Sequence, residues 1–566
     1  MQKYADRPLV ADKEREPLKQ YPELLQELLI ARGVINTLDA EAFLNPDYDQ
    51  HVHDPFLMMG MERAVSRVGK AIMENEPIVI YSDYDCDGIP GGVLLHDFFN
   101  MIGYKNVSNY IPHRHEEGYG VNKGALLKLI DNGAKLIITV DCGITDVESI
   151  AYAKERNVDV ILTDHHLPGA TLPPAYVILN PKQEGDTYPE PMLCGSGVAF
   201  KLVQGVLAQN RFGLKKGKEK WLLDMVGLAT IADMVPLKGE NRIFAHFGLA
   251  VLRKSPRVGL QKLCRLMKIN QRYLTEDDIG FMIAPRVNAA SRMDEPMAAF
   301  RLLATIDEAE ADLQARHLNK INDQRKGIVA SMTREIKKRV HNRMEEREII
   351  VTGDPRWRPS LLGLVANSLV EEYNRPVFLW GREGNNLLKG SCRSDGTVDV
   401  VLLMNEVEDI LLESGGHAFA GGFSVREDGI HMLEEKLTQA YRKIKGSADV
   451  TQDAIFDRRI SIDDVTWETY KLIERLAPFG EGNAKPLFLF PNVVINEIRR
   501  FGNEKAHVEF NFINSFGKKI SAIDFFSRNS DNHPVETGAS INLIASIEKS
   551  MFRNFPELRL RVVAIA

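Results

Sequence analysis

The sequence predicts an α/β protein whose first half forms a parallel sheet covered by helices. Short apolar runs lie within 77–88, 134–143 and 158–166, and each leads into acidic residues. Buried apolar runs separated by helical segments are typical of parallel sheets. The chain has 566 residues, which exceeds one ordinary domain of roughly 150 residues. We therefore expect three or four domains.

The remaining chain changes its pattern twice. Residues 304–346 contain no proline and a single glycine, which predicts one extended helix that bridges domains. A smaller α/β domain is predicted over 347–446. Over 447–566, short alternating strands broken by Asn, Gly and Pro predict a small β-barrel or sandwich. Residues 1–303 then form an N-terminal segment together with the parallel-sheet domain.

Composition excludes several classes of protein. Hydrophobic residues make up 44% and charged residues 26%, so a disordered or collagen-like chain is excluded. No run of about 18 apolar residues occurs, which excludes a membrane span. The first residues lack the apolar core of a signal peptide, so we expect a cytoplasmic protein. Five cysteines without a C-x-x-C pattern argue against a disulfide framework or a structural zinc site.

The net charge bears on possible partners. It is −7, from 71 Lys and Arg against 78 Asp and Glu. As a bulk property it argues against a nucleic-acid partner, because phosphates attract positive charge. An uneven distribution of the charges along the chain would remove this objection.

Acidic and histidine side chains follow three of the predicted strands. Asp83, Asp85 and Asp87 follow the first strand, Asp141 follows the second, and Asp164, His165 and His166 follow the third. In an open parallel sheet, ligands bind at the carboxyl ends of the strands, where loops from neighbouring strands converge. We therefore expect these side chains to meet in space although they are far apart in the sequence.

Such a group of side chains favours metal binding. Three aspartates within five residues repel one another unless a cation neutralises them, and carboxylates with imidazole suit Mn²⁺ or Mg²⁺. Two such ions about 3.5–4 Å apart are the usual means of hydrolysing phosphoesters. Singly, the elements have simpler interpretations: a solvated turn or calcium loop for D-x-D-x-D, a helix cap for Asp141, and a surface or core position for the histidine pair. Their occurrence at three strand ends favours one shared metal site.

The motifs D-Y-D-C-D-G, D-C-G and D-H-H resemble those of the DHH phosphoesterase superfamily. Further segments resemble the RecJ family of single-stranded-DNA-specific exonucleases, and they are IPHRHEEGYG (111–120), NPKQ (180–183), LATIADMVPL (228–237), APRVNAASRM (284–293), GSCRS (390–394), GGHAFAGGFS (415–424) and LAPFGEGNAKPLF (476–488). The resemblance covers nearly the whole chain. It implies a DHH catalytic domain, a DHH-associated substrate-binding domain over 347–446 and an OB-like, nucleic-acid-binding β-barrel over 447–566.

The resemblance also implies a site for two Mn²⁺ or Mg²⁺ ions. The implied metal ligands are Asp83, Asp85, Asp87, Asp141, His165 and Asp233, and the implied catalytic residues are Asp141, Asp164, His165 and His166. Asp164 is expected to hold the ring of His165 in place, and His166 is expected to meet the scissile phosphate or the attacking water. Asp233 is found through the family alone, since its local sequence suggests only a helix cap.

A second implied set of residues binds the substrate. The family positions near the 5′-terminal phosphate are matched by Arg114, Arg286, Ser391, Arg393 and His417. Arginine suits this task because it bonds phosphate in a bidentate manner. Outside the family match, the Gly-Gly-His segment around His417 would be merely a turn.

Two further features are candidates for contact with DNA. Residues 316–343 carry nine Lys and Arg against two acidic residues, a local charge of +7. Such a run is usually a solvated helix face, but on a domain-bridging helix we expect part of it to track phosphates. In the OB-like region the candidates for base stacking are Phe510, Phe512, Phe525 and Phe526. Because alternate phenylalanines on a strand are more often core, we expect only one or two to be exposed.

The activity that the resemblance implies is metal-dependent hydrolysis of single-stranded DNA from the 5′ end, in DNA recombination and repair. Single-strand-binding protein and a helicase are the implied protein partners, with no membrane and a monomeric chain. One alternative is a DHH-type oligoribonuclease or cyclic-dinucleotide phosphodiesterase. A non-enzymatic DNA-binding relative from the replisome is the other, although all the acidic positions and both histidines are intact here.

Overall fold

The structure is a computed structural model that describes residues 4–8, 11–342, 347–383, 387–445, 454–502, 505–525, 535–551 and 555–565. Two compact units are present. The smaller unit combines Met1–His53, Met234–Phe247 and Gln452–Ala566, and the larger unit combines Asp54–Asp233 with Gly248–Thr451. The segment up to His53 thus belongs to the unit of the C-terminal β-domain, whereas we expected it with the parallel sheet.

A parallel sheet lies in the first part of the larger unit, as predicted. Its strands are β1 (Ile78–Ser82), β2 (Val107–Tyr110), β3 (Leu136–Val140), β4 (Asp159–Thr163) and β5 (Val177–Leu179). They are hydrogen-bonded in the order β2-β1-β3-β4-β5. Every residue of β1 and β3 is buried, which explains why both strands read as continuous apolar runs.

Helices cover both faces of this sheet. They are α1 (Met61–Met73), α2 (Gly88–Met101), α3 (Lys123–Asp131), α4 (Val147–Glu155), α5 (Gly195–Gln209) and α6 (Leu223–Ala232). Leu126 of α3 and Ile150 of α4 pack on one face, and α2 and α5 contact the other. The chain crosses from one side of β1 to the other between β2 and β3, and at such a point an open sheet leaves a crevice for ligands.

A long helix leads from this region to a second sheet, and the α/β class with a bridging helix is confirmed. The helices are α7 (Val258–Met267), α8 (Ala284–Met293), α9 (Met297–Ala304) and α10 (Glu308–His341, 34 residues). Asp307 caps α10 by accepting the N–H of Glu310. Shorter turns lie at Pro55–Leu57, Lys218–Leu222, Gln271–Tyr273, Glu276–Asp278, Ile279–Ile283 and Glu408–Ile410. Helix Gly239–Leu252 is divided between the two units.

The second sheet is mixed and also has helices on both faces. Its strands are β6 (Ile350–Gly353), β7 (Val377–Glu383), β8 (Leu387–Arg393), β9 (Leu411–His417) and β10 (Ala420–Val425), in the order β9-β10-β8-β7-β6. The accompanying helices are α11 (Pro359–Tyr373), α12 (Val400–Asn405) and α13 (Leu433–Lys445). Ile336 of α10 and Leu362 of α11 share one core cluster, and Leu403 of α12 and Leu437 of α13 share the other.

The smaller unit is built on a seven-stranded sheet. In spatial order its strands are Arg458–Arg459, Phe488–Val494, Ser540–Ser550, Glu557–Ile565, Lys519–Asp524, His507–Ile513 and Glu497–Phe501. Tyr4–Asp6 pairs in parallel with Ala454–Phe456. The helices are Asp12–Arg15, Glu23–Ile30, Thr37–Leu44, Tyr48–His51 and Trp467–Glu474, and turns lie at Glu16–Leu18 and Ile462–Asp464. Leu25 and Leu28 of the N-terminal segment share a core with Phe488 and Phe512.

None of the helices within the described ranges combines the length and the apolar composition that a membrane crossing requires.

A buried ion network joins helices of the larger unit. Arg257 donates two hydrogen bonds to Asp224 of α6, at 2.6 and 3.1 Å, and also lies 2.6 Å from Asp97 of α2. Its side chain is only 12% exposed and that of Asp224 only 3%. Because Asp224 is buried and Asp97 is half-buried, the guanidinium offsets the cost of keeping their charges away from water.

We expect Arg257→Leu to reduce the free energy of unfolding of the larger unit by about 3–5 kcal/mol, since it leaves the buried carboxylate of Asp224 without its cation. A fall in the thermal midpoint, followed by circular dichroism, measures the effect. Arg316→Leu is the matched control, because Arg316 pairs with Asp312 on an exposed helix face, and such pairs contribute little. An equal, small effect of both substitutions would contradict the expectation.

Candidate metal centre

The register of the parallel sheet brings the three acidic motifs to one edge. Each first aspartate continues the ladder beyond its strand by one hydrogen bond to the neighbouring strand. The bonds run from Asp83 N–H to Val140 O (3.0 Å), from Asp141 N–H to Thr163 O (3.0 Å) and from Asp164 N–H to Leu179 O (3.1 Å). The motifs therefore lie side by side at the carboxyl ends of β1, β3 and β4, as the strand pattern predicted.

The donor atoms of seven predicted residues come together there. They form three groups, each with its atoms within 4.8 Å of one another: Asp83, Asp85 and Asp141; Asp87, His165 and Asp233; and Asp141, His165 and His166. Asp141 and His165 each belong to two groups and so join the three into one centre. Asp233 arrives from the end of α6, about 90 residues downstream of Asp141.

Backbone N–H groups hold the first motif in place. Asp87 accepts N–H bonds from Gly195 (2.6 Å) and Ser196 (2.7 Å), the first residues of α5. A helix N-terminus favours a negative charge because its N–H groups are unpaired and its dipole is positive there. Asp85 accepts the N–H groups of Asp87 (2.7 Å) and Gly88 (3.1 Å). These bonds fix both carboxylates despite their mutual repulsion.

Two glycines allow the backbone to approach closely at this site. A Cβ atom at Gly88 would lie 2.5 Å from the carbonyl oxygen of Asp83, and one at Gly195 would lie 2.6 Å from Cβ of Asp141. Asp141 itself has φ = 63°, a left-handed conformation that is uncommon for residues other than glycine. Backbone strain of this kind is found mainly at functional sites. Here it accompanies the close packing of Gly195 against Asp141, whose carboxylate belongs to the centre.

His165 faces carboxylates on three sides. Its Nε2 atom lies 3.1 Å from Oδ1 of Asp141 and 3.7 Å from oxygens of Asp87 and Asp233. Burial first, and then the charge of the neighbouring His166, lower the pKa of His165 to about 3. The imidazole is therefore neutral near pH 7, which is the form that binds a metal ion.

Burial and mutual repulsion raise the pKa values of most of the carboxylates. Burial, followed by the charges of Asp87 and Asp85, raises the pKa of Asp233 to about 9. The pKa of Asp87 is raised to about 6, again by burial first and then by Asp85. Burial likewise raises the pKa of Asp83 and of Asp141 well above the ordinary range. These groups share a need for positive charge that a cation would meet.

Asp164 holds His166 rather than the ring of His165, contrary to our expectation. Its Oδ1 atom lies 2.8 Å from Nδ1 of His166 and accepts the N–H of His165 at 2.7 Å, and its Oδ2 accepts the N–H of Ile144 at 2.9 Å. The hydroxyl of Tyr119 lies 3.1 Å from the same Nδ1. Burial alone would lower the pKa of His166, but the bond to Asp164 and the nearby carboxylates outweigh it and raise the pKa. The side chain is 41% exposed, so its other face is open to a ligand.

Lys182 is a member of the site that the sequence did not reveal. It is half-buried close to the carboxylates of Asp233 and Asp141, and it forms no ion pair within the described ranges. Asn180, which is fully buried, accepts the N–H of Lys182 at 2.9 Å and donates to the carbonyl of His166 at 2.9 Å. Its position just after β5 was the available signal, since this strand too ends at the site.

A group of arginines adjoins the metal-ligand cluster. The guanidinium of Arg114 lies over the ring of Tyr84, 4.8 Å from its centroid. Burial first, and then the charges of Arg114 and Arg325, lower the pKa of Arg292 to about 10. Arg325 in turn is affected by Arg286. The sequence identified Arg114 and Arg286 in this group but not Arg292.

The other predicted substrate residues share one face of the second sheet. Arg393 on β8 is in register with Ala420 on β10, which is in register with His417 on β9. Ser391 is two residues from Arg393 and therefore points to the same face. His417 is exposed, and a Cβ atom at Gly422 would meet only one backbone oxygen, 3.7 Å away. This face is open at His417 and Gly422, whereas Ser391 and Arg393 are half-buried.

Helix α11 connects the two groups of basic residues. Arg292 donates to the carbonyl of Ser360, at the start of α11, at 2.6 Å. Three residues further on, the position of a Cβ atom at Gly363 is 2.8 Å from Nη2 of Arg393. Arg292 and Arg393 are thus separated by roughly one helical turn, about 5 Å of rise. The first turn of α11 lies between the arginine cluster and the open sheet face.

The basic run on α10 has mixed surroundings. Arg316, Lys337 and Arg339 form ion pairs with Asp312, Glu372 and Asp354 respectively. Arg325 is half-buried and Lys326 is exposed, and desolvation first, followed by the charge of Arg286, lowers the pKa of both. Arg343 lies outside the described residues. Part of the run is therefore a paired helix face, and part adjoins the arginine cluster.

The phenylalanines of the β-domain differ in burial. Phe510 and Phe512 are buried in the core, while Phe525 is half-buried. Two guanidinium groups lie over the ring of Phe525, those of Arg559 at 5.7 Å and Arg561 at 5.6 Å. Phe526 lies outside the described residues.

Comparison with known proteins identifies the family. The DHH family N-terminal domain matches residues 77–230, the DHHA1 domain matches 346–447 and the RecJ OB domain matches 456–564. Single-stranded-DNA-specific exonuclease RecJ of Bacillus subtilis is 34% identical over 96% of this chain and 68% of its own length, and that of Haemophilus influenzae is 30% identical over 95% of each. The chain belongs to the RecJ family.

Solved structures of a RecJ protein agree with this assignment. The crystal structure of RecJ from Thermus thermophilus in complex with Mn²⁺ has a TM-score of 0.83 at 26% identity and covers all of this chain and 79% of its own. The complex of the same protein with Mg²⁺ has a TM-score of 0.77 at 25% identity and covers all of this chain and 78% of its own. The predicted RecJ resemblance and the DHH, DHHA1 and OB domains are confirmed.

The RecJ-type centre of this chain fits divalent cations. Oδ1 of Asp83 and Oδ1 of Asp141 are buried, and within the described ranges neither has a hydrogen-bond partner. The donor set combines carboxylate oxygens with a neutral imidazole, which suits Mn²⁺ or Mg²⁺. Orphaned buried carboxylate oxygens are costly unless a cation or donor meets them.

We expect Lys182→Met to tighten the binding of Mn²⁺, roughly tenfold, because it removes a positive charge close to the donor atoms. Titration calorimetry with MnCl₂ measures the dissociation constant. Lys215→Met is the matched control, since Lys215 is an exposed lysine on another loop of the same unit. Unchanged or weaker Mn²⁺ binding in Lys182→Met would contradict the expectation.

Proposed function

We propose that this RecJ-family protein is a metal-dependent exonuclease that hydrolyses single-stranded DNA from the 5′ end and releases mononucleotides, in DNA recombination and repair. The observation that carries the proposal is the cluster of seven carboxylate and imidazole side chains at one edge of the parallel sheet. The relatives that the chain matches along nearly its whole length are named single-stranded-DNA-specific exonucleases. Both the chemistry and the substrate follow from this combination.

Two Mn²⁺ or Mg²⁺ ions would be held by Asp83, Asp85, Asp87, Asp141, His165 and Asp233. When bound, such a pair of ions lowers the pKa of the attacking water and stabilises the charge on the phosphoryl group. Asp141, shared by two of the donor groups, would serve both ions. Asp164 keeps Nδ1 of His166 engaged, which leaves Nε2 to donate to the scissile phosphate or to hold a proton of the attacking water.

Arginines and the second sheet would grip the 5′ end of the strand. Arg114, Arg286, Ser391, Arg393 and His417 are the proposed contacts to its terminal phosphate. Arg393 and His417 share a glycine-rich face that is open at His417, where a phosphate could approach the backbone closely. The arginine cluster beside Asp85 would bring the next phosphate towards the metal ligands.

The domain roles follow from these placements. We assign catalysis to the parallel-sheet domain within 1–303, substrate binding to 347–446, with the helix of 304–346 between them, and nucleic-acid binding to 447–566. Phe525, flanked by two arginines, is the candidate to stack on a base, since aromatic rings with nearby cations favour single strands. The basic part of α10 near Arg286 would track phosphates.

The alternatives are less well supported. An oligoribonuclease or cyclic-dinucleotide phosphodiesterase would not need a nucleic-acid-binding β-domain, and a non-enzymatic scaffold would not need an intact set of metal ligands. We further propose a cytoplasmic, monomeric protein. Single-strand-binding protein and a helicase are its proposed partners, by resemblance to the family.

We expect Asp141→Asn to lower the rate of DNA hydrolysis by about a thousandfold or more, because it removes the carboxylate shared by two donor groups. The assay uses single-stranded DNA labelled at the 5′ or the 3′ end, with Mn²⁺. A chelator should abolish the activity of the unmodified protein and added Mn²⁺ should restore it. Asp131→Asn, at an exposed helix end, is the control and should retain full activity.

Two outcomes would contradict the proposal. Full activity of Asp141→Asn would exclude the metal mechanism. Release of the 3′ label as the first mononucleotide would exclude digestion from the 5′ end.

We expect Arg393→Met to raise the KM for a 5′-phosphorylated strand by about 10–100-fold, the range for loss of a hydrogen bond to a charged group. The KM for a 5′-hydroxyl strand should change little. Gly363→Ala tests the same contact without removing the charge, because its Cβ would displace the guanidinium of Arg393. An equal loss with both kinds of strand would show that Arg393 does not recognise the terminal phosphate.

A further inference from the structure

A second concentration of positive charge lies away from the metal ligands. Residues 253–274 contain seven Lys and Arg and no acidic residue. Within this segment, Arg257 forms ion pairs with Asp224 and Asp97, and Lys262 forms one with Glu308. The remaining basic residues are Arg253, Lys254, Arg265, Lys268 and Arg272, and none of these five forms an ion pair within the part of the chain that the structure describes.

Four of these five cations surround one cleft. The cleft has a volume of about 1190 Å³ and its lining includes Arg253, Lys254, Arg265 and Arg272. No carboxylate is among its lining residues in the described chain. Lys254, Arg265 and Arg272 are exposed, and Arg253 is partly held by a bond to the carbonyl of Leu274. The cleft is thus an open, positively charged surface.

Helix dipoles do not account for this charge. Helices Gly239–Leu252 and α7 both end at the cleft, and cations near a helix C-terminus offset its partial charge of about −0.5. Two helix ends therefore account for about one unit of charge, against four cations in the lining. Most of the positive charge is left to meet a ligand.

The cleft does not include the metal ligands, but residues that line it contact elements that lead to them. Ser255 in its lining donates to Asp224 in the first turn of α6, at 2.8 Å, whereas Asp233 follows the last turn of α6, about 14 Å of helix away. On the other side of α7, a second cleft of about 640 Å³ is lined by Leu266, Asn319 and Lys320, among others. Asn319 accepts a hydrogen bond from Nε of Arg286 at 3.0 Å.

We propose that the cleft of Arg253, Lys254, Arg265 and Arg272 binds the phosphate backbone of a single nucleic-acid strand. The strand would run past Arg286 and Lys320 and around α7. The neighbouring side chains of Gln261, Asn270 and the exposed Tyr273 offer hydrogen bonds and a ring to bases, a combination typical of surfaces that hold single strands. The inference rests on the proposed function for the identity of the strand, and it adds a binding surface that the catalytic residues do not include.

The salt dependence of binding tests this surface. The probe is a long fluorescein-labelled oligothymidylate, whose anisotropy is followed with the full chain in the presence of a chelator, so that no hydrolysis occurs. The test variant is K254Q/R265Q/R272Q. The matched control is K215Q/K216Q/K218Q, which removes three exposed lysines from another loop of the same unit. Both variants change the net charge equally.

We expect the test variant to bind more weakly and the slope of log K against log salt to fall by about 2, since each phosphate contact on a single strand contributes about 0.7. The control should keep the slope of the unmodified protein. An unchanged slope in the test variant, or an equal change in the control, would overturn the proposal. Loss of binding to a polyglutamate peptide while the oligothymidylate binds normally would also overturn it, since the surface would then take an acidic protein segment.

A measurement on the unmodified chain removes any dependence on folding of the variant. Acetylation of lysines by an N-hydroxysuccinimide ester, followed by mass spectrometry, should show that the oligonucleotide protects Lys254 but not Lys215 or Lys216. Equal labelling of all three with and without the strand would contradict the proposal. Should the unmodified protein bind the strand but never cleave it with Mn²⁺, the proposed function would fail while the binding surface remained.

Discussion

The structure of the larger unit depends on gathering carboxylates that repel one another. Two like charges 4 Å apart repel by about 4 kcal/mol at the effective dielectric constant typical of protein surfaces, and six aspartates lie at or beside this sheet edge. Nothing in the attraction between these side chains would bring them together. The backbone does so, through the ladder bonds that extend β1, β3 and β4 by one residue each.

The negative charges of the aspartates at this edge are stabilised in different ways, and the differences indicate the roles of these residues. Both carboxylate oxygens of Asp164 accept hydrogen bonds from N–H groups or contact His166. Asp164 is therefore poorly placed to bind a cation and instead orients His166. Asp87 lies on the N-terminus of α5, which partly offsets its charge. Asp83 and Asp141 each keep a buried oxygen that has no hydrogen-bond partner among the residues that the structure describes. Those unsatisfied oxygens are the physical reason for regarding the edge as a cation site rather than as a structural network.

Sequence could locate the centre because strand ends in a parallel sheet are predictable from apolar runs. The three motifs follow continuous buried strands, and topology alone then brings them to one edge. Asp233 and Lys182 escaped this reasoning. Asp233 lies at the end of α6 within an apolar sequence, and its position depends on how that helix packs; Lys182 follows a strand of only three residues. The family resemblance supplied Asp233, whereas only the structure supplied Lys182.

Several features depend on long-range packing and could not be predicted from the local sequence. The segment before His53 shares a core with the β-domain more than 400 residues later, and no local pattern records such a partner. In the histidine pair, the choice between two adjacent rings depends on which one turns its Nδ1 towards Asp164. Phe525 differs from Phe510 by its place at a strand end, which the alternating pattern did not distinguish.

The charge of the chain must finally be judged by position. The total of −7 includes six aspartates of the centre, and two divalent cations would take it to −3. Segments 253–274 and 316–343 each carry a local charge of +7. Screening limits the reach of a charge to about 8–10 Å in physiological salt, so a strand near the basic cleft responds to those cations and not to the acids at the far end of α6. A negative protein can therefore attract a polyanion along one path, and its acidic pocket, once filled by cations, lies at the end of that path.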